Sequence, residues 1–144
     1  AASDVYKRQY TVSETLTRPV PGEVMTEFSD TPVYSETMRD YRVHAGTDYT
    51  AAHGETVHAC ANGIVKETHT DMLRGNMIVI EHGDYEVHYC GLGETFLVHE
   101  GDVVTAGQDI GSVTAAPFES ALDSHLHIEV TRNGEPVDPE SVFG

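Results

Sequence analysis

The chain has 144 residues, 39% of them hydrophobic, which suits one domain with a single core. Its formal charge at pH 7 is −16, from 8 Lys and Arg against 24 Asp and Glu. This balance argues against nucleic-acid binding and against adsorption to anionic lipid, since both need clustered cationic side chains. No uninterrupted apolar run approaches the ~20 residues of a membrane helix.

The first nine residues have an unusual sequence that is best explained separately from the rest of the chain. The sequence DVYKRQ at 4–9 resembles the translated end of a transposon sequence used in DNA library preparation. We therefore expect residues 1–9 to be foreign and the natural protein to extend further upstream, where a membrane anchor or a signal could lie. Residues 10–32 are polar and proline-rich, which predicts an extended lead-in, and the folded domain is predicted over 33–144.

From residue 33 onward, short runs of β-type residues are broken by Gly, Asn and Asp, a pattern typical of an all-β domain. The predicted strands are 56–61, 63–69, 76–81, 85–92, 103–104, 109–113 and 125–131. The turn His82-Gly83-Asp84 predicts an antiparallel hairpin between two of them. Sustained helical spacing is missing from the sequence, so we expect little helix. The segment 114–124 is the longest irregular stretch between predicted strands, and long loops in compact domains often carry function.

The chain has two cysteines, Cys60 and Cys90. Neither belongs to a Cys-x-x-Cys pair, which argues against a thiolate zinc site. A disulfide would suit an exported protein, and two free, partly buried thiols are the alternative. The sequence leaves both open.

The run SHLHIEV at 124–130 places two histidines on a predicted strand. His125 and His127 are two residues apart, so their side chains leave the same face of the strand. Leu126, Ile128 and Val130 point to the opposite face, toward the core. Two imidazoles on one face, with the apolar residues opposite, indicate a site.

A second cluster is HAGTD at 44–48, in which His44 and Asp48 can converge around the flexible Gly46. Imidazole nitrogen and carboxylate oxygen both suit Zn²⁺. Two such groups and a third histidine would leave one tetrahedral position for water, the layout of a catalytic zinc site.

The two clusters together resemble the lysostaphin-type zinc endopeptidases, the LytM-domain family that cuts peptidoglycan cross-links. Further segments follow in the family order: CANGIV, GNMIVIEHG, EGDVVTAGQDIGSV and GEPVDPESVF. The resemblance covers residues 32–143. It implies a compact antiparallel β-sheet domain with a groove, of the duplicated-hybrid-motif type.

The resemblance also implies roles for single residues. His44, Asp48 and His127 match the three zinc ligands, and His125 matches a catalytic histidine beside them. The division is chemically reasonable, because an imidazole whose lone pair is on a metal cannot also move protons. Arg42 matches a common family position.

The sequence departs from the family at Tyr89-Cys90-Gly91-Leu92, where relatives have a second catalytic histidine at the position of Gly91. Loss of such an oxyanion-stabilising donor typically costs ~10²–10³ in rate. His88 is the alternative second catalytic residue, but a regular strand would point it away from the position of Gly91, so it needs a bulge. Arg42 and Asn76 are expected to support the site or to line its groove.

Residues 19–48 resemble the sporulation branch of the family, the stage II sporulation protein Q type. That resemblance implies an extracytoplasmic location, in the cell wall or anchored in a membrane and facing the space between mother cell and forespore.

Two functions follow as hypotheses. One is a zinc-dependent endopeptidase acting on peptidoglycan peptides. The alternative is a catalytically weak or inactive assembly module that binds zinc and an extracytoplasmic partner protein.

Overall fold

The computed structural model describes residues 9–144, so nearly all of the predicted foreign segment at 1–9 lies outside the described residues. The strands of the described chain are β1 (Val24–Thr26), β2 (Ser29–Ser35), β3 (Asp40–His44), β4 (Thr47–Thr50), β5 (Thr56–His58), β6 (Gly63–Asp71), β7 (Gly75–His82), β8 (Tyr85–Leu92), β9 (Val103–Val104), β10 (Asp109–Ser112), β11 (His125–Arg132) and β12 (Glu135–Val137). Two short 3-10 helices cover Pro117–Glu119 and Pro139–Ser141. Between residues 9 and 144, no helix has the length and hydropathy of a membrane span.

The main sheet has the strand order β1-β4-β11-β8-β7-β6-β9, and β12 pairs with β11 beside it. Its paired strands run antiparallel, as the sequence predicts. Two small sheets, β10 with β5 and β2 with β3, complete the architecture. The predicted all-β, antiparallel fold is confirmed.

The central strand β11 separates the core from the site. Leu126, Ile128 and Val130 are fully buried in the main hydrophobic cluster, as their alternation predicts. His125 and His127 lie on the other face and are buried as well. Because the strand is central and covered on both faces, the histidines sit on a rigid support.

The segment predicted as an extended lead-in, 10–32, is packed against the domain. Leu16 and Val20 are buried in the main cluster, and β1 pairs with β4 at the end of the main sheet. The predicted boundary at residue 33 falls inside β2. These contacts could not be predicted from the sequence, because β1 has only three residues and the buried side chains are isolated in a polar stretch.

Both cysteines are free thiols in the structure, which decides between the two alternatives. Cys60 and Cys90 are buried, and burial raises the pKa of each thiol to about 12. A thiol with so high a pKa is largely unreactive, because the thiolate is the nucleophile.

Candidate metal centre

Three neighbouring segments bring the predicted ligands together. His44 ends β3, Asp48 lies in β4, and Asp48 is directly across from His127 of β11. The turn between the first two passes very close to β11, where a Cβ on Gly46 would lie 2.2 Å from the carbonyl oxygen of Ile128. Only glycine permits this approach, so the HAGTD motif needs Gly46 to bring its two polar ends to the strand.

In both histidines predicted to be ligands, the ring nitrogen that points away from the centre donates to an acceptor. His44 donates from Nδ1 to the carbonyl oxygen of Glu27 at 2.9 Å, and His127 donates from Nε2 to the carboxylate of Glu129 at 2.8 Å. These partners leave His44 Nε2 and His127 Nδ1 facing inward. The inward nitrogens lie 3.4 Å and 2.7 Å from the carboxylate oxygens of Asp48.

Asp48 is fully buried, and its Oδ2 atom has no hydrogen-bond partner among the described residues. A buried carboxylate oxygen without a donor is costly, and it needs a positive charge beside it. Neutral imidazoles with fixed outer N–H groups present lone pairs to this carboxylate, His44 toward Oδ2 and His127 toward Oδ1, so a cation between them would satisfy all three groups. The donor set of two imidazoles and carboxylate oxygen fits zinc.

Glu119 is a further member of the centre that the sequence did not single out. Its two carboxylate oxygens lie 2.7 Å from His44 Nε2, 3.0 Å from His125 Nε2 and 3.0 Å from His127 Nδ1. His44, Asp48, Glu119 and His127 together form a buried group whose ligand atoms are close enough to share one metal ion. The sequence indicated the loop 114–124 as functional, but loop sequence alone does not show which side chain turns inward.

His125 lies beside the predicted ligands. Its Nδ1 donates to the carbonyl oxygen of Asp123 at 2.7 Å, so Nε2 is the nitrogen that faces the centre. That nitrogen lies 3.7 Å from Asp48 Oδ1, farther than the nitrogen of His127. The proton-handling role of His125 stays a prediction, and its orientation agrees with that role.

The centre favours positive charge between its carboxylates. Burial alone would lower the pKa of His44, but Asp48 and Glu119 outweigh burial and raise that pKa to about 9. Burial likewise opposes ionisation of Glu119, yet its contacts with the histidines hold the pKa of its carboxyl well below the ordinary value. The pKa of His127 is raised for the same reason, against the effect of burial and chiefly by Asp48.

An outer layer of side chains holds His127 in place. Glu129, which accepts from His127 Nε2, also accepts from Arg74 Nε at 2.7 Å. Although burial opposes ionisation, His127 and Arg74 lower the pKa of Glu129 to about 2. The ring of Phe118 meets the His127 ring edge-on, with centroids 5.0 Å apart and planes at 87°. Carboxylates behind metal-binding histidines fix the tautomer and the ring orientation. The period of β11 could have indicated Glu129, since it shares a face with His127.

Arg42 and Asn76, the predicted supporting residues, make local contacts. Arg42 forms two hydrogen bonds with the carboxylate of Asp40, at 2.8 and 2.7 Å, and lines a groove beside the centre. Asn76 donates to the carbonyl oxygen of Leu92 at 3.0 Å and accepts from Thr70 at 2.8 Å. Through these contacts Asn76 links β7 to β6 and β8.

His88 lies on the same face of the sheet as the centre. It is directly across from Glu129, while the residue across from His127 is Cys90. A register shift does occur in this part of β8, where Gly91 has a positive φ of 74°, but it lies beyond His88. The structure therefore places His88 next to the supporting carboxylate, one row away from the inward-facing nitrogens.

One known protein family matches more than half of the chain. The model of Peptidase family M23 matches residues 42–139. The chain is 35% identical over 106 residues to the DD-carboxypeptidase/endopeptidase Mpg of Neisseria meningitidis serogroup B, covering 73% of this chain and 24% of the relative. The chain thus spans about a quarter of the length of this curated relative.

Two solved structures share the fold. A structure of the SpoIIQ-SpoIIIAH pore forming complex superposes with a TM-score of 0.77 at 22% identity, covering 90% of this chain and 91% of that chain. A zinc containing peptidase from Vibrio cholerae superposes with a TM-score of 0.72 at 26% identity, covering 90% of this chain and 39% of that chain. With the family model matching more than half of its length, this chain belongs to peptidase family M23, as its paired histidine motifs predict.

Proposed function

We propose that the domain is a zinc-dependent endopeptidase that acts on the peptide cross-links of peptidoglycan, outside the cytoplasm. One observation carries the proposal. The inward nitrogens of His44 and His127 meet a buried carboxylate, Asp48, one oxygen of which lacks a hydrogen bond among residues 9–144. Membership of the M23 family and the endopeptidase activity for which the Neisseria relative is named support the choice of substrate.

In this proposal three residues bind the metal and a fourth transfers a proton. His44, Asp48 and His127 would hold the zinc, which when bound polarises a carbonyl group and lowers the pKa of water. His125 would accept a proton at Nε2 and return it to the leaving amine, while the backbone carbonyl of Asp123 accepts from its Nδ1.

A groove beside His44 offers a place for the peptide. It lies between the β2–β3 hairpin and the loop that carries Glu119, and its apolar lining includes Val33, Tyr34, Val43, Phe118 and Leu122. A concave, mostly apolar lining with a few polar groups at one end is typical of a ligand site. The groove would orient an extended peptide so that one of its carbonyl groups reaches the inward nitrogens.

The test is hydrolysis of purified sacculi. The metal-depleted domain is incubated with sacculi before and after zinc is restored, and newly released amino groups are counted. Zinc-restored release that a chelator abolishes and that His125→Ala reduces supports the proposal. Zinc content should fall in His127→Ala, by metal analysis, independently of turnover. Stoichiometric zinc without release above the His125→Ala background would contradict the enzyme.

A second candidate function is an assembly module that binds zinc and an extracytoplasmic protein. The observation in its favour is the exposed β2–β3 hairpin, which presents Val33, Tyr34, Tyr41 and Val43 to solvent. The fold shared with the SpoIIQ-SpoIIIAH complex suggests a sporulation protein as the partner. Co-purification of such a partner, lost when Tyr34 and Tyr41 are changed to serine, would support this function. Retention of the partner by that variant would exclude the hairpin as the surface.

A further inference from the structure

We propose that Glu119 is a fourth protein ligand of the metal, so that the centre is closed by four protein side chains in its resting state. The inference rests on the proposed zinc site and adds a regulatory property to it. A catalytic zinc site keeps one position open for water or substrate, whereas structural sites fill all four with side chains. In this chain, the side chain that fills the position comes from the loop 114–124.

The hydrogen-bond geometry supports this assignment. With the outer nitrogens of His44 and His127 acting as donors, their inner nitrogens carry lone pairs when the rings are neutral. The carboxylate of Glu119 approaches those same two nitrogens at 2.7 and 3.0 Å. Lone pairs on both partners repel unless a proton or a metal ion lies between them. A metal bound at these nitrogens is therefore in reach of Glu119 without a change of loop conformation.

The loop that carries Glu119 is held at several points. Phe118 donates its backbone N–H to the carbonyl oxygen of Leu73 at 2.9 Å, and Ala121 donates to the hydroxyl of Thr37 at 3.0 Å. Glu119 itself is 6% exposed, so its charge has no easy route to solvent. An ionised side chain is held at this depth only where it is paired or binds a metal.

Gly91 gives the loop its space. The Thr114 N–H donates to the carbonyl oxygen of Gly91 at 2.8 Å, and a Cβ on Gly91 would lie 2.7 Å from the backbone nitrogen of Ala116. A histidine at this position, which the family resemblance leads one to expect, cannot coexist with the loop as it stands. The glycine and the inward glutamate thus belong to one arrangement, in which a loop covers the place of a second catalytic side chain.

A closed centre has a chemical consequence. The carboxylate of Glu119 has to leave before water or a substrate carbonyl can reach the metal. The same carboxylate lies 3.0 Å from Nε2 of His125, so it also engages the nitrogen that would accept the proton. Displacement of one side chain would therefore free both the open position and the base.

The experiment measures metal binding rather than turnover. Zinc affinity is determined by competition with a chromophoric chelator for the wild type, Glu119→Gln and Glu119→Ala. Asp123→Asn is the matched control, since it removes one negative charge from an exposed side chain of the same loop and keeps the backbone carbonyl that accepts from His125. We expect Glu119→Gln to weaken zinc binding by at least about 10-fold, because even supporting partners of metal ligands contribute 10–100-fold. Asp123→Asn should leave the affinity within about twofold of the wild type, since surface charge effects are small.

Cobalt substitution reports the open position directly, and its deciding measurement is made on the wild type, whose folding is not in question. Azide added to the cobalt-loaded wild type should leave the visible spectrum unchanged, while Glu119→Ala should show a shift. An azide shift in the wild type, or equal zinc affinity in the wild type and Glu119→Gln, would overturn the role of Glu119 and leave the zinc site intact. A wild-type domain that binds no zinc would overturn both proposals.

Discussion

Replacing Gly91 by alanine tests whether the loop 114–124 depends on a missing side chain. The φ of Gly91 is +74°, and a Cβ there would lie 2.7 Å from the nitrogen of Ala116 and 3.0 Å from the carbonyl carbon of Ala115. Both contacts are with backbone atoms, which cannot rotate away. Alanine at this position therefore has to displace the loop or distort β8.

The expected loss of stability in Gly91→Ala has two parts. A non-glycine residue at positive φ costs about 1–2 kcal/mol, and forcing extra volume into a packed region costs about 1–3 kcal/mol more. Gly91→Ala should lower the free energy of unfolding by about 2–5 kcal/mol. Gly107→Ala is the control, because Gly107 has a similar φ of +83° and a Cβ there would meet nothing within 4 Å. It should cost only about 1–2 kcal/mol.

Equilibrium urea unfolding in the presence of a chelator, which removes any effect of bound metal, gives both values. If Glu119 binds the metal, Gly91→Ala should also weaken zinc binding, and Gly107→Ala should not. Equal destabilisation by the two substitutions would refute the idea that the loop packs onto a bare backbone at Gly91. Gly91→His alone is not expected to add a working catalytic imidazole, since the same space is missing.

Glu129→Gln should weaken zinc binding about 10–100-fold, because the Glu129 carboxylate accepts from the outer nitrogen of His127 and fixes its ring. Competition with a chelator measures the zinc affinity, and an unchanged affinity would contradict this supporting role of Glu129. Burial lowers the pKa of His82 to about 4, so the unfolded chain binds a proton there first as the pH falls. The His82 contribution to stability is then lost between the ordinary pKa of about 6.5 and 4, by about 2 kcal/mol at pH 5. The raised pKa values of His44 and His127 act in the opposite direction, so the test is the difference between two proteins: from pH 7 to pH 5, urea unfolding should show about 2 kcal/mol more loss in the wild type than in His82→Gln. Cys60 and Cys90 should react with a thiol reagent only after unfolding, and rapid labelling of the native chain would show that one of them is accessible.

The sequence predicted the parts of the fold that its local pattern encodes. The strand predicted at 85–92 coincides with β8, and alternation in SHLHIEV correctly separates the core face from the histidine face. By contrast, Asp48 lies in β4, a strand of only four residues. Asp48 is buried because β4 pairs with β11 inside the sheet, and a short polar run in the sequence does not indicate that pairing.

The candidate metal centre likewise contains residues that the local sequence predicts and one that it does not. His44 and Asp48 are four residues apart in one turn, so their convergence is a local property that spacing can show. Glu119 reaches the same point only because its loop is fixed by distant partners such as Leu73 and Thr37. A glutamate in an irregular loop carries no period and no motif by itself, so its place in the centre depended on knowing the packed structure.

The packed lead-in has a practical consequence for how the domain should be handled. The family match begins at residue 42, yet β1 covers the outer side of β4, and the Thr50 N–H donates to the carbonyl oxygen of Glu23 at 2.9 Å. A fragment cut at the family boundary would leave β4, the strand of the predicted ligand Asp48, at the edge of the sheet, with unsatisfied backbone groups open to other chains. Exposed edge strands of this kind promote aggregation. Fragments made to test zinc binding should therefore begin ahead of Leu16, whose carbonyl oxygen also accepts from the N–H of Gly144 at 2.8 Å.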